Sequence, residues 1–200
     1  MRRALAGLAL LACSLPAALQ ADVAADIQAR LRPFQTLHGR FQQVKQLQGI
    51  RRPLKSSGRF VVERGQGVLW ICEKPLASQL RVSAEGLAIF AHGQRQKGLD
   101  GTGAPQHLIG QIALSVFSSD IKAMQEHFGL SGSVQGRRWS GQLRPKDAGM
   151  ARAIQQITLT GSAFAEGLTL QEANGDVSHI TFSGVKADQP LSAEEKALFE

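Results

Sequence analysis

Beyond residue 37 most of the chain is written in period two, and that pattern constrains the fold more than any other feature. The segment Leu37 to Leu47 reads LHGRFQQVKQL, with a mixed pattern, and Ser57 to Glu63 reads SGRFVVE and alternates. Gly67 to Glu73, GVLWICE, is a strongly apolar strand preceded by turn residues Gly65 and Gly67. Leu80–Ser83 and Leu87–Ala91 read as the next two strands, parted by a turn at Glu85-Gly86. After an interruption the pattern returns in LSGSVQ, RWSGQLRP, IQQITLTG, GLTLQEA and VSHITFSGV. Asn174-Gly175 marks a two-residue hairpin between the last two. Successive side chains of a strand point to opposite faces, so such segments bury one face and wet the other.

The helical signals are few. Val23, Ile27, Leu31 and Phe34 share one helical face, with Asp22 able to cap the start and Pro33 marking the end. The interruption holds a Gly-rich loop, Lys97 to Ala104. It is followed by Pro105 to Phe117, where Leu108, Ile109, Ile112 and Val116 lie on one helical face behind a Pro suited to the first turn. Ser119-Asp120 precedes a second short helix, Ile121 to His127. Ser192-Ala-Glu-Glu is a capping box that opens a terminal helical turn or two. Helices this scarce cannot cover both faces of a parallel sheet. The expected fold is therefore mainly β with some α (α+β). It is an unclosed antiparallel β-barrel, or strongly curved sheet, with helices over its concave hydrophobic face.

The first residues read as an address. Met1-Arg2-Arg3 is a short basic start, Ala4 to Ala12 an uncharged apolar run too short to span a bilayer, and Pro16 to Ala21 a stretch of mostly small residues. Residues 1–21 are expected to be a secretory signal peptide cut before Asp22, leaving a single domain, 22–200, in the periplasm of a two-membrane cell. Leu10-Leu11-Ala12-Cys13 offers an alternative: a lipobox, with Cys13 lipidated and the protein anchored to a membrane. Two hundred residues, 43% hydrophobic and 20% charged, suffice for one globular core. The two Cys exclude a disulfide-stapled miniprotein. The net charge of +7 has no dense block beyond Arg51-Arg52, Lys55 and Arg137-Arg138, which argues against nucleic acid as a partner.

Catalytic patterns are missing. The five His, at 38, 92, 107, 127 and 179, show no metal-ligand spacing, and no structural zinc set exists. There is no Gly-x-Ser-x-Gly elbow, and Gly98 to Gly103 lacks the Lys-Ser/Thr of a phosphate loop. Cys72, beside Trp70-Ile71, reads as a small apolar residue. Glu172 with Asp176, and Glu194-Glu195, read as solvated carboxylates. No enzyme activity, cofactor or metal is expected. What remains is apolar: Phe41, Phe60, Leu69 and Trp70 on strands, and Leu108, Ile109, Ile112 and Phe117 on the inserted helix. These suit either an ordinary core or a hydrophobic pocket between sheet and helix.

The stretch GRFVVERGQGVLW (58–70), preceded by LHGRFQQ (37–43), resembles the periplasmic outer-membrane lipoprotein carrier family, LolA-like. The shared pattern is an N-terminal helix, a leader with Phe and Gln, a Gly-led strand, an Arg, and a strand ending at Trp. The resemblance implies an open antiparallel barrel whose cavity, lidded by helices, receives the acyl chains of lipoproteins or another lipid. It implies an inner-membrane donor, an outer-membrane acceptor and a monomer that works without a covalent step. The family's functional Arg falls on Arg64, implied to latch the lid when the cavity is empty. Phe41, Phe60, Val68, Trp70, Leu80, Ile109 and Ile112 become the cavity candidates. Where the family has Pro after the Arg and an aromatic four residues on, this chain has Gly65 and Val68, a departure that suits a specialised envelope-lipid or secondary-metabolite role. A lipid-anchored receptor of the same fold is the further alternative.

Overall fold

The computed structural model describes residues 22–84, 86–91, 94–96 and 121–199. The expected signal peptide with Cys13, and the Pro105–Phe117 helix with Ile109 and Ile112, lie outside the described residues. Within them, α1 (Val23–Gln28) leads into a meander of β1 (Thr36–Gln46), β2 (Leu54–Glu63), β3 (Gly67–Lys74), β4 (Ser78–Ser83), β5 (Gly86–Ala91) and the two-residue β6 (Gln94–Arg95). After α2 (Ile121–His127) come β7 (Phe128–Gln135), β8 (Arg138–Pro145), α3 (Ala148–Ala151), β9 (Ile154–Gly161), β10 (Ala165–Glu172), β11 (Val177–Ala187) and α4 (Ala193–Phe199).

All these strands form one antiparallel sheet in the order β6-β5-β4-β3-β2-β1-β11-β10-β9-β8-β7. The two meanders are joined through β1 and β11, which pair from Leu37↔Ala187 to Gln46↔Val177 with a bulge between His38 and Arg40. Among the described residues β6 and β7 are the edge strands and do not pair with each other, so the sheet is not closed into a barrel.

Alternation decides the two faces. On the inner face, Leu37 and Phe41 of β1, Phe60 and Val62 of β2, Val68 of β3, Val82 of β4, Leu143 of β8, Ile157 and Leu159 of β9 and Phe182 of β11 belong to one buried cluster. α1 and α2 close the β7–β8 end of that face, adding Ala24, Ile27, Ile121 and Met124. Asp22 caps α1 by accepting from the amides of Ala24 and Ala25. The helix is shorter than its apolar spacing suggests: it ends at Gln28 and finishes in tight turns from Arg30 to Ile27 and Leu31 to Gln28. Pro33 bars a helical conformation at Arg32, so Leu31 and Phe34 reach the core from irregular backbone.

The outer face carries a second, smaller cluster, Val61, Leu69 and Ile71, covered by Leu198 and Phe199 of α4. The capping box forms as expected, with the Ser192 hydroxyl accepting from the Glu195 amide and the Glu195 carboxylate accepting from the Ser192 amide. Glu195 departs from the expectation of a solvated carboxylate. It is buried and bonded to Arg59 at 2.8 Å and to His38 Nε2 at 3.3 Å, because those residues occupy the outward positions of β1 and β2 beneath α4. Burial alone would raise its pKa. The Ser192 amide, His38 and Arg59 outweigh that and hold it below the ordinary carboxylate value. Arg81, also buried, donates to the Phe199 carbonyl at 2.9 Å and pins the helix C-terminus.

Candidate functional site

Four aromatic side chains from four adjacent strands meet at the centre of the inner face. Phe41 of β1 stacks on Trp70 of β3 with ring centroids 3.8 Å apart. Phe60 of β2 lies nearly parallel to Trp70 at 6.4 Å and meets Phe182 of β11 edge-on at 5.4 Å. The space for this comes from Gly39: an added Cβ there would stand 2.4 Å from the tip of the Phe60 ring. Phe60 pairs with Gly39 across the β1–β2 ladder and lies flat over it. The Gly of LHGRFQQ and the Phe of GRFVV are therefore two halves of one packing feature.

The quartet is not sealed on every side. Phe41 and Phe60 are each 1% exposed, yet Trp70 is only half-buried, as are Leu80, Leu87, Leu168, Leu170 and Ile180 on the same face. Partly exposed aliphatic and aromatic surface thus rings a buried aromatic floor. Of the expected cavity residues, Phe41, Phe60, Val68, Trp70 and Leu80 are brought together on this face. Phe182 was not singled out from the sequence, although alternation with Ile180 in VSHITFSGV carries the signal. Val68, the departure from the family's aromatic, sits between Val62 and Val82 and is buried. Cys72 completes the strand's inner side, half-buried, with its thiol 3.1 Å from the Lys74 carbonyl.

The inner face turns polar toward the β1–β2 hairpin end. Lys45 Nζ lies 2.6 Å from Glu172 and 3.6 Å from Asp176. Gln43 bonds Ser178 and Ser56 beside it. Asp176 accepts from the Gln48 amide, the main cause of its lowered pKa, with Asn174 and Lys45 helping against partial burial. Glu172 and Asp176 are thus bound to a lysine rather than facing each other as an acid pair. Among the described residues no group of three or more His, Cys, Asp or Glu is placed to hold a metal ion.

Arg64 lies at the opposite end, in the turn joining β2 to β3. It is exposed, its amide donates to the Gln35 carbonyl at 2.8 Å, and its guanidinium stands 6.0 Å above the Phe34 ring. Gly65 adopts φ +85°, a conformation from which Pro is barred, so the Gly for Pro exchange goes with a different turn. The roughly 30 Å of β1 separates Arg64 from the Lys45 cluster, at about 3.3 Å per residue.

A match to the family described as outer membrane lipoprotein carrier protein LolA spans residues 32–198. The chain belongs to the LolA family. Among solved structures it is similar to a LolA-superfamily protein from Nitrosomonas europaea (10% identity, TM-score 0.48), covering 89% of this chain and 96% of that one. It is also similar to a DUF1329-family protein from Desulfovibrio piger (11%, TM-score 0.49), covering 90% and 95%. A third is an outer-membrane lipoprotein-sorting protein domain from Vibrio parahaemolyticus, so described only putatively (9%, TM-score 0.46; 88% and 96%). No curated protein matches. No helix among the described residues is long and apolar enough to cross a membrane.

Proposed function

We propose that this LolA-family protein is a periplasmic carrier. It takes the acyl chains of lipoproteins, or of a related amphiphile, against the inner face of its sheet. It then hands them on toward the outer membrane, from an inner-membrane donor to an outer-membrane acceptor, after export directed by residues 1–21. The observation that carries this reading is the half-exposed apolar ring of Trp70, Leu80, Leu168, Leu170 and Ile180 around a buried aromatic floor. A protein that needed this face only as core would bury the ring as fully as it buries Phe41 and Phe60.

The energetics suit transport without a covalent step. Each CH₂ moved from water to an apolar wall is stabilised by about 0.8 kcal/mol, so a chain of ordinary length needs such a surface to cross water. Release then requires a reversible grip. Arg64, on the turn at one end of the face, is the latch in this reading. Its planar head offers five donors for carbonyls of a covering helix when the face is empty.

The test uses a fatty acid brominated along its chain. Bromine quenches indole fluorescence at short range. In Trp139→Phe, which leaves Trp70 as the single indole, binding on the inner face should dim Trp70, and Trp70→Phe should keep the affinity. A bound chain that leaves Trp70 emission unchanged would place the lipid elsewhere and sink the proposal.

A further inference from the structure

The exposed large hydrophobic side chains among the described residues gather at one end of the sheet. They are Val44 (36% exposed), Ile50 (50%), Leu54 (57%) and Leu76 (79%). Ile50 and Leu54 belong to the β1–β2 hairpin, and Leu76 to the β3–β4 turn. The register brings these together: Lys45 pairs with Leu54, and Ser57 pairs with Lys74 at the mouth of the β3–β4 turn.

The same end is basic. Arg51, Arg52, Lys55 and Lys74 are exposed and make no ion pair among the described residues. The nearby acids are already engaged, Glu172 and Asp176 by Lys45, and Glu73 by Arg40 at 2.7 Å. The tip is also held in shape. Gly49 at φ +79° turns the chain, and the Gln46 side-chain Nε2 donates to the carbonyls of Leu47 and Ile50. The Gln48 amide ties the tip to Asp176 in the β10–β11 turn.

We propose that this end is a membrane-docking surface that seats on an anionic lipid bilayer. Branched aliphatic side chains on projecting turns, flanked by unpaired Arg and Lys, match a bilayer interface: apolar tips enter the acyl boundary while cations meet phosphates. The hollow beside these tips is lined mainly by polar side chains, Gln42, Gln43, Ser56 and Ser57 with Lys55 and Lys74, so the exposed aliphatic tips themselves are the apolar contact, which favours a lipid surface over a partner's side chain. The proposal does not rest on the cargo reading, since docking needs neither the inner face nor a bound chain.

The test is flotation of the purified protein with phosphatidylcholine vesicles, compared with vesicles in which about a third of the lipid is phosphatidylglycerol. Binding is expected to the anionic vesicles, with release as salt rises. Each basic residue near such a surface is worth roughly fivefold, so Arg51→Gln with Arg52→Gln should lower partitioning about 25-fold. Ile50→Ser with Leu76→Ser should lower it about tenfold or more. Both pairs should keep the wild-type melting temperature and acyl-chain uptake, because these side chains lie outside the core. Equal binding to both vesicle types, insensitivity to salt, or wild-type binding by either variant pair would overturn the proposal. So would binding to an acidic protein with none to anionic vesicles.

Discussion

Gly39→Ala is the substitution that most sharply tests how the inner face is built. The new methyl would stand 2.4 and 2.6 Å from two atoms of the Phe60 ring, where real contacts need well over 3 Å. The ring cannot simply swing away, because Phe182 meets it edge-on at 5.4 Å and Trp70 lies parallel at 6.4 Å, and it is 1% exposed. Overpacking of this kind costs about 1–3 kcal/mol. For a domain of this size that is a fall in melting temperature of roughly 2–12 °C, at about 2–4 °C per kcal/mol. Thermal unfolding by circular dichroism reads it. Phe60→Leu alone should also destabilise, but in the double variant the methyl fills space the ring has left. The coupling between the two should favour the double variant by about 0.5–3 kcal/mol. An unchanged melting temperature for Gly39→Ala, or strict additivity in the double variant, would show that Phe60 does not lie on Gly39 as described.

Three further outcomes are expected. Glu195→Gln should loosen α4 and cost about 1–2 kcal/mol in urea unfolding near neutral pH. Because Glu195 titrates below the ordinary carboxylate value in the folded protein, its contribution is complete above that value and lost as pH falls through the lowered one. The gap between wild type and Glu195→Gln should therefore close in acid, and a gap constant down to pH 3 would refute the assignment. Gly65→Pro, which restores the family's residue, should lower the melting temperature because φ +85° is closed to Pro; equal stability would mean the turn is not held in that conformation. Arg64→Leu should leave stability nearly unchanged, its contact with the Phe34 ring being an exposed one of about 0.5–1 kcal/mol. It should alter hand-off to acceptor vesicles more than acyl-chain uptake, and unchanged transfer would remove Arg64 from the latch role.

Where alternation was strong and bounded by turn residues, the sequence could be read to the residue. β8 at Arg138–Pro145 and β9 at Ile154–Gly161 coincide with the segments RWSGQLRP and IQQITLTG. Phe41, Phe60, Val68, Trp70 and Leu80, named from the family resemblance, do share one face, with Gly39 and Gly58 interleaved in register; Leu69, grouped with them in the sequence, falls on the opposite face beneath α4 because it adjoins Trp70 along β3. The pairing of β1 with β11 was not legible, since it joins segments some 140 residues apart and leaves no local mark. The capping box foretold α4 but not its side of the sheet. That depends on which strand face offers Val61, Leu69 and Ile71, together with a buried arginine for the helix terminus. α3, a single turn capped by Asp147, is too short for any periodicity to announce. The end of α1 was over-read because Leu31 and Phe34 keep helical spacing while supplying the core from irregular backbone.

The central claim is that the inner face carries lipid. Native mass spectrometry with lipid extraction, on protein purified from the envelope of cells that express it, tests this most directly. The account predicts acyl-bearing species bound at a defined stoichiometry and released on extraction. Protein that emerges empty, and also fails to take up a fluorescent fatty acid, would contradict it and reduce the aromatic floor to an ordinary core.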